Sequence, residues 1–299
     1  MKQSELKGNL ILLLTALIWG CAFVAQSVSM DYVGPFTFQS IRSLMGACVL
    51  IPVFLVIDHS KRKNGTYQAP TASDKKTQLI AGIICGIIMT IAGNLQQIGI
   101  QYTTAGKAGF ITAIYILIVP ILGIFIKKKV SPRLWCCVGM ALIGLYLLSV
   151  TEGFSEINKG DIYVLLCAVA FAFHILAVDY FVDKVDGVRL SSMQFFVCGI
   201  LSGILMLIYE TPSIDNILAA ALPILYAGIL SCGVAYTLQI IGQKYTNPTM
   251  ASMIMSLESV FAVLGGMILL HETLSLREAF GCVLMFVAIL IPQLPEKQK

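Results

Sequence analysis

The chain has 299 residues, of which 58% are hydrophobic and only 12% charged, and its mean hydropathy of +0.86 lies far above that of water-soluble globular domains. This composition excludes a soluble enzyme or binding module and points to a polytopic membrane protein. The formal net charge of +4 comes from basic residues near the ends of apolar runs, a topology signal, and gives no reason to expect nucleic acid as a partner.

A hydrocarbon core of roughly 30 Å takes about 20 apolar helical residues to cross. Such runs fall near 8–30, 36–57, 78–101, 105–126, 131–150, 161–182, 190–209, 219–242, 248–270 and 276–294. The expected fold class is all-α integral membrane, with ten transmembrane helices set in a lipid bilayer. The runs are continuous and lack the two-residue alternation of lipid-facing strands, which excludes a β-barrel.

Within the first span, Lys7 precedes the apolar stretch Leu10 to Val24, an outline shared with signal peptides. The segment has a counterpart later in the chain and is expected to remain as a span. Its Trp19, with Phe23 one turn further on, is a candidate wall of an internal cavity. Arg42, inside the second span, is expected to be structural. Asn94, Gln96 and Gln97 lie toward the outer end of the third span, where polar groups in hydrocarbon need a partner or a cavity; all three are candidate gate or substrate contacts, and Asn94 and Gln97 are assigned to the substrate pathway. Tyr115 sits eleven residues into the fourth span. His174, in the sixth, carries an imidazole that titrates near neutral pH, while Asp179 lies at the inner interface and reads as a rim residue. Tyr236 and Gln239 stand toward the inner end of the eighth span and are candidate gate or substrate contacts at the opposite mouth of the pathway. Gly82-x-x-x-Gly86 and Gly199-x-x-x-Gly203 are small-residue patterns that fit close helix packing or a homodimer.

Glu258 is the most informative residue. It lies about midway along the uncharged run from Pro248 to Leu270, and a charge at the centre of a membrane helix costs about 2.5–3.5 kcal/mol on insertion scales. A substrate amine or a transported proton would give the acid a task. All nine cysteines fall within the spans without metal-ligand spacing, and read as small buried hydrophobes.

With the N-terminus inside, sixteen of the twenty basic residues face the cytoplasm and only Lys107, Lys159 and Arg277 face outward, which places both termini in the cytoplasm. The chain also repeats itself. Gln96, Gly99, Tyr102 and Gly123 recur as Gln239, Gly242, Tyr245 and Gly266 at an offset of 143, and Gly8-Asn9 recurs as Gly160-Asp161 at an offset of 152. The two units are 1–152 and 153–299, five spans each, and an odd number inverts the second against the first. Inverted repeats are a transporter architecture with a site near the midplane. Tyr115 and Glu258 occupy the same repeat position.

Ala16-Leu17-Ile18-Trp19-Gly20, Arg42, the stretch Leu257 to Gly266 and His271-Glu272 resemble the EamA-type members of the drug/metabolite transporter superfamily, over almost the whole chain. The resemblance implies a central cavity lined by spans 1, 3, 4, 6, 8 and 9, and small metabolites such as amino acids as substrates. Two departures stand out: Ser259 where the family often has proline, which would alter helix flexibility, and Lys127-Lys128-Lys129 in place of a glutamate, at the cytoplasmic rim. No Walker A loop, GxSxG elbow or HExxH motif occurs, so catalytic residues, a cofactor and a metal site are not expected. The function expected is that of a secondary transporter, an exporter working by alternating access across the cell membrane. An intramembrane enzyme or regulatory protein would need supporting groups around His174 and Glu258, and a facilitative channel would need a continuous polar lining.

Overall fold

A computed structural model of the protein describes residues 3–103, 105–128, 130–149, 158–269 and 275–293. Lys129, Glu152 and the His271-Glu272 pair lie outside the described residues. Among the described residues there are helices and no strand. They run α1 (Gln3–Ser29), α2 (Pro35–Lys63), α3 (Ala72–Ile100), α4 (Ala105–Ala113), α5 (Tyr115–Phe125), α6 (Pro132–Ser149) and α7 (Lys159–Phe181). After these come α8 (Gly187–Tyr209), α9 (Ile214–Ala219), α10 (Ala221–Leu225), a π-helical stretch Tyr226–Ala235, α11 (Tyr236–Gln243), α12 (Pro248–Met255), α13 (Glu258–Leu269) and α14 (Leu276–Leu290). Among the described residues, seven stretches are long and apolar enough to cross a bilayer: α1, α2, α3, α7, α8 and the composite runs Lys107–Phe125 and Ala221–Gln243.

Polar residues set the helix ends. Thr71 with Asp74, Asn158 with Asp161 and Ser275 with Glu278 form reciprocal capping boxes at the starts of α3, α7 and α14, satisfying backbone N–H groups that have no partner within the helix. Glu210 crosses to the start of α2 and accepts from the Phe36 and Thr37 N–H groups at 2.9 and 2.8 Å, where the helix dipole favours an anion.

The fourth and ninth predicted spans are broken. Between α4 and α5 the Ile114 N–H donates to Ile111 O and the Leu117 N–H to Ile114 O; between α12 and α13 the Leu257 N–H donates to Ile254 O and the Ser259 N–H to Ser256 O. These i to i−3 bonds tighten each helix locally. In the second break the Ser252 and Ser256 hydroxyls also donate to the Thr249 and Met253 carbonyls at 2.8 and 2.7 Å, a back-bonding that bends helices. The discontinuity at Glu258 therefore forms with serine where proline was expected. Tyr115 and Glu258 are each the first residue of the second half-helix.

Packing joins early helices to late ones: α2 lies along α8, α3 along α7 and α8, α1 along α11 and α13, and α6 along α14. Both small-residue patterns are used inside the chain. Cβ atoms at Gly82 and Gly86 would meet Met193 and Val197, and at Gly199 and Gly203 they would meet Leu44 and Ser40; these glycines therefore serve internal packing and present no surface to a second copy. Outward faces are apolar, with Leu10, Leu14, Leu17, Leu55, Val56 and Ile91 exposed, as a lipid-facing surface requires. Five cysteines are buried, but Cys48 and Cys136 are exposed on such faces, which corrects the expectation of burial for all nine; none is in a disulfide.

Candidate functional site

The broken helices bring their half-helix starts together. The Tyr115 hydroxyl donates to Glu258 Oε1 at 3.2 Å, with the two residues 3% and 4% exposed. Around them is a narrow cavity with room for a few waters. Trp19, Ala22, Phe23 and Gln26 line it from α1, Thr112 from α4, Tyr115 from α5, and Met255 and Glu258 from either side of the second break. Phe171 and Ile175 of α7 also line it, as do Ser231, Tyr236 and Gln239 of the π-helical stretch and α11, Gln96 of α3 and Arg42 of α2.

Five of the eight residues singled out in the sequence meet here: Trp19, Tyr115, Tyr236, Gln239 and Glu258. The Trp19 and Tyr236 rings pack at 4.5 Å between centroids. The Gln239 amide donates to Gln243 Oε1 at 2.9 Å. The other three lie in helix contacts outside the lining. His174 Nε2 is 2.9 Å from Gln194 Oε1 of α8, and its ring stands edge-on to Tyr236 at 6.2 Å, so it backs a lining residue. The Asn94 amide donates to Thr90 O and Ser202 Oγ, each at 2.8 Å. The Gln97 amide donates to Gln26 O at 3.2 Å. The neighbouring Gln96, about 100° away around α3, lines the cavity and donates to Thr112 Oγ1 at 3.3 Å.

Several cavity residues were not read as such from the sequence, among them Gln26 and Arg42. Gln26 follows Trp19, Ala22 and Phe23 at i+7, completing one helical face. Arg42 was expected to be structural, yet its buried guanidinium lines the cavity. It donates through Nε to Gln39 Oε1 at 2.8 Å, and through Nη2 to the same oxygen. Trp19 Nε1, Gln26 Oε1 and Gln239 Oε1 are buried in the cavity wall without a hydrogen-bond partner among the described residues. Unpaired buried polar atoms are rare enough to need a reason.

Ion pairs stand at the two ends of the neighbouring helices. Lys107 at the start of α4 meets Asp161 at the start of α7 at 2.6 Å, and Lys128 beyond α5 pairs with Asp179 near the end of α7. Asp179 is thus a rim residue with a partner, and the lysine run supplies it.

A family model for the EamA-like transporter family matches residues 6–150 and 158–292. A protein of Archaeoglobus fulgidus, named as an uncharacterized transporter, is 31% identical over 296 residues, covering 97% of this chain and 87% of that protein. The uncharacterized transporter YoaV of Bacillus subtilis is 22% identical, covering 91% of this chain and 92% of its own. A protein solved by crystallography shares the fold with a TM-score of 0.76 at 19% identity, each chain covered to 96%.

Proposed function

The chain belongs to the EamA-like transporter family, a multi-pass membrane transporter, and from that premise we propose that it is a secondary carrier that exports small metabolites such as amino acids across the cell membrane by alternating access. The observation that carries the reading is the Tyr115–Glu258 hydrogen bond. These residues are repeat mates at an offset of 143, and a residue that touches its own mate lies on the axis relating the two.

Ten spans in two inverted units, 1–152 and 153–299, are part of the proposal, and reciprocal contacts support it. If residue i touches j in a two-fold arrangement, the mate of i touches the mate of j. Ser40 donates to Gly199 O at 2.9 Å and Ser192 to Ala47 O at 3.0 Å; Thr37 bonds Glu210, and Arg189 pairs with Asp58. All four pairings follow the offset of 152. Lys7 lies over Tyr245 as Lys159 lies over Tyr102. The two separate matches of the family model fit the same division. Helices broken at the midplane and related by such an axis are a recurring transporter device, and the narrow cavity must widen to admit a solute, as alternating access requires. Trp19, Tyr236, Gln239 and Gln96 form the proposed pathway with the axial pair, while His174, Asn94 and Gln97 would act through the residues they touch.

Reconstituted protein is expected to show saturable counterflow of small metabolites. Conductance without saturation would replace the carrier by a channel, and chemical conversion of the solute would make it an enzyme. For topology, single cysteines placed at Lys63 and Lys128 in a cysteine-free background should be shielded from an impermeant thiol reagent in intact cells, and those at Glu152 and Asp215 labelled. Labelling at position 128 would end the inverted arrangement.

A further inference from the structure

We propose that Arg42 receives a carboxylate of the transported solute, and that Glu258, which lines the same cavity, receives the solute's amine when it has one. The assignment rests on the cavity being the transport site, and it begins from a missing counter-ion. Arg42 is 6% exposed, and among the described residues no carboxylate comes within ion-pair distance of it; Lys107, Lys128 and Arg189 take Asp161, Asp179 and Asp58 instead. A guanidinium has five N–H donors, and the two that find a protein acceptor share the neutral oxygen of Gln39. A carboxylate fits the remaining donors in the bidentate manner that favours arginine over lysine.

The arginine is also held in place. Its Gln39 partner donates to Cys198 Sγ at 3.2 Å and lies in the notch left by Gly93, where any Cβ would collide with the amide. The Phe38 ring packs 5.0 Å from the guanidinium carbon. No ion pair joins Arg42 to Glu258 although both line one cavity, and Tyr236 and Cys167 each lie within electrostatic reach of both. The unpartnered wall atoms complete the pattern: the Trp19 N–H is a donor suited to a carboxylate, and the oxygens of Gln26 and Gln239 are acceptors suited to an ammonium.

The test is counterflow in proteoliposomes with a labelled mixture of the protein amino acids. The competitors are their α-amides, which keep the amine and lose the carboxylate, and the matching 2-oxo acids, which keep the carboxylate and lose the amine. Amides should compete at least about tenfold less well than acids, because a charged hydrogen-bond pair is lost. Arg42→Gln should bring the two within about twofold, with Arg42→Lys intermediate, while Glu258→Gln keeps the preference for acids. The comparison of acids with amides on the native protein stands even where Arg42→Gln fails to fold. Equal competition by amides and acids overturns the proposal; so does discrimination that survives Arg42→Gln, the result expected if Arg42 is instead a counter-ion to Glu258 in another conformation. Movement of 2-oxo acids but not amino acids keeps the Arg42 assignment and removes the amine pole. Movement of carboxylate-free amines alone overturns the assignment and leaves the transporter reading in place, whereas vesicles that move none of these solutes sink both.

Discussion

Glu258→Gln is expected to leave a folded protein whose transport is at least tenfold slower, or has lost its dependence on pH. Glutamine keeps the shape of the side chain and can still accept from the Tyr115 hydroxyl, which lies 3.2 Å from Glu258 Oε1, so folding should survive. The substitution removes the charge and the titration. A hydrogen bond to a charged group is worth about 1.5–3 kcal/mol against about 1 kcal/mol for a neutral one, and a change of about 1.4 kcal/mol is a tenfold effect. Tyr115→Phe removes the donor and leaves the acid, and should slow transport while retaining pH dependence. Protein yield and melting temperature have to be measured beside initial rates. Normal rates with an unchanged pH profile in Glu258→Gln would make the acid a structural hydrogen-bonding group and end its proposed role in coupling.

Gly20→Ala should be the most damaging single-methyl change near the cavity. An added Cβ would stand 2.7 Å from Glu258 O, 2.8 Å from Ala262 N and 2.6 Å from Phe261 Cβ. Two of those atoms are backbone and cannot rotate away, so α1 and α13 would have to separate beside the Tyr115–Glu258 pair. Overpacking a close contact costs typically about 1–3 kcal/mol, and the upper end is expected here. Gly139 offers the control, since a Cβ there meets nothing within 4 Å, and alanine improves helix propensity by about 1 kcal/mol. Thermal unfolding in one detergent should rank Gly139→Ala at or above the native chain and Gly20→Ala well below it. A Gly20→Ala protein as stable as the native one would show that this interface has slack.

The sequence by itself determined the membrane class, the helical character and the positions of the apolar runs, and it singled out Glu258 and Tyr115 as candidates. Hydropathy reports these directly, because a helix must hide its backbone from lipid over a known length and an ionised group there is costly. The offset of 143 pointed to two residues that prove to be in contact. Which face of each helix meets the cavity was decided only by the tertiary structure. In a soluble protein a polar stripe marks the outside, but here the lipid-facing Leu10, Leu14 and Leu17 and the buried Leu12 and Ala16 are all apolar, so periodicity carries little direction. Gln96 therefore could not be separated from Gln97, nor Arg42 assigned to the cavity while the second span was left out of the expected lining. The helix breaks before Tyr115 and Glu258 and the π-helical turn were equally hidden, since the breaks rest on local i to i−3 bonds, helped at the second by serine hydroxyls, and the π turn on i to i−5 bonds, none of which hydropathy reports.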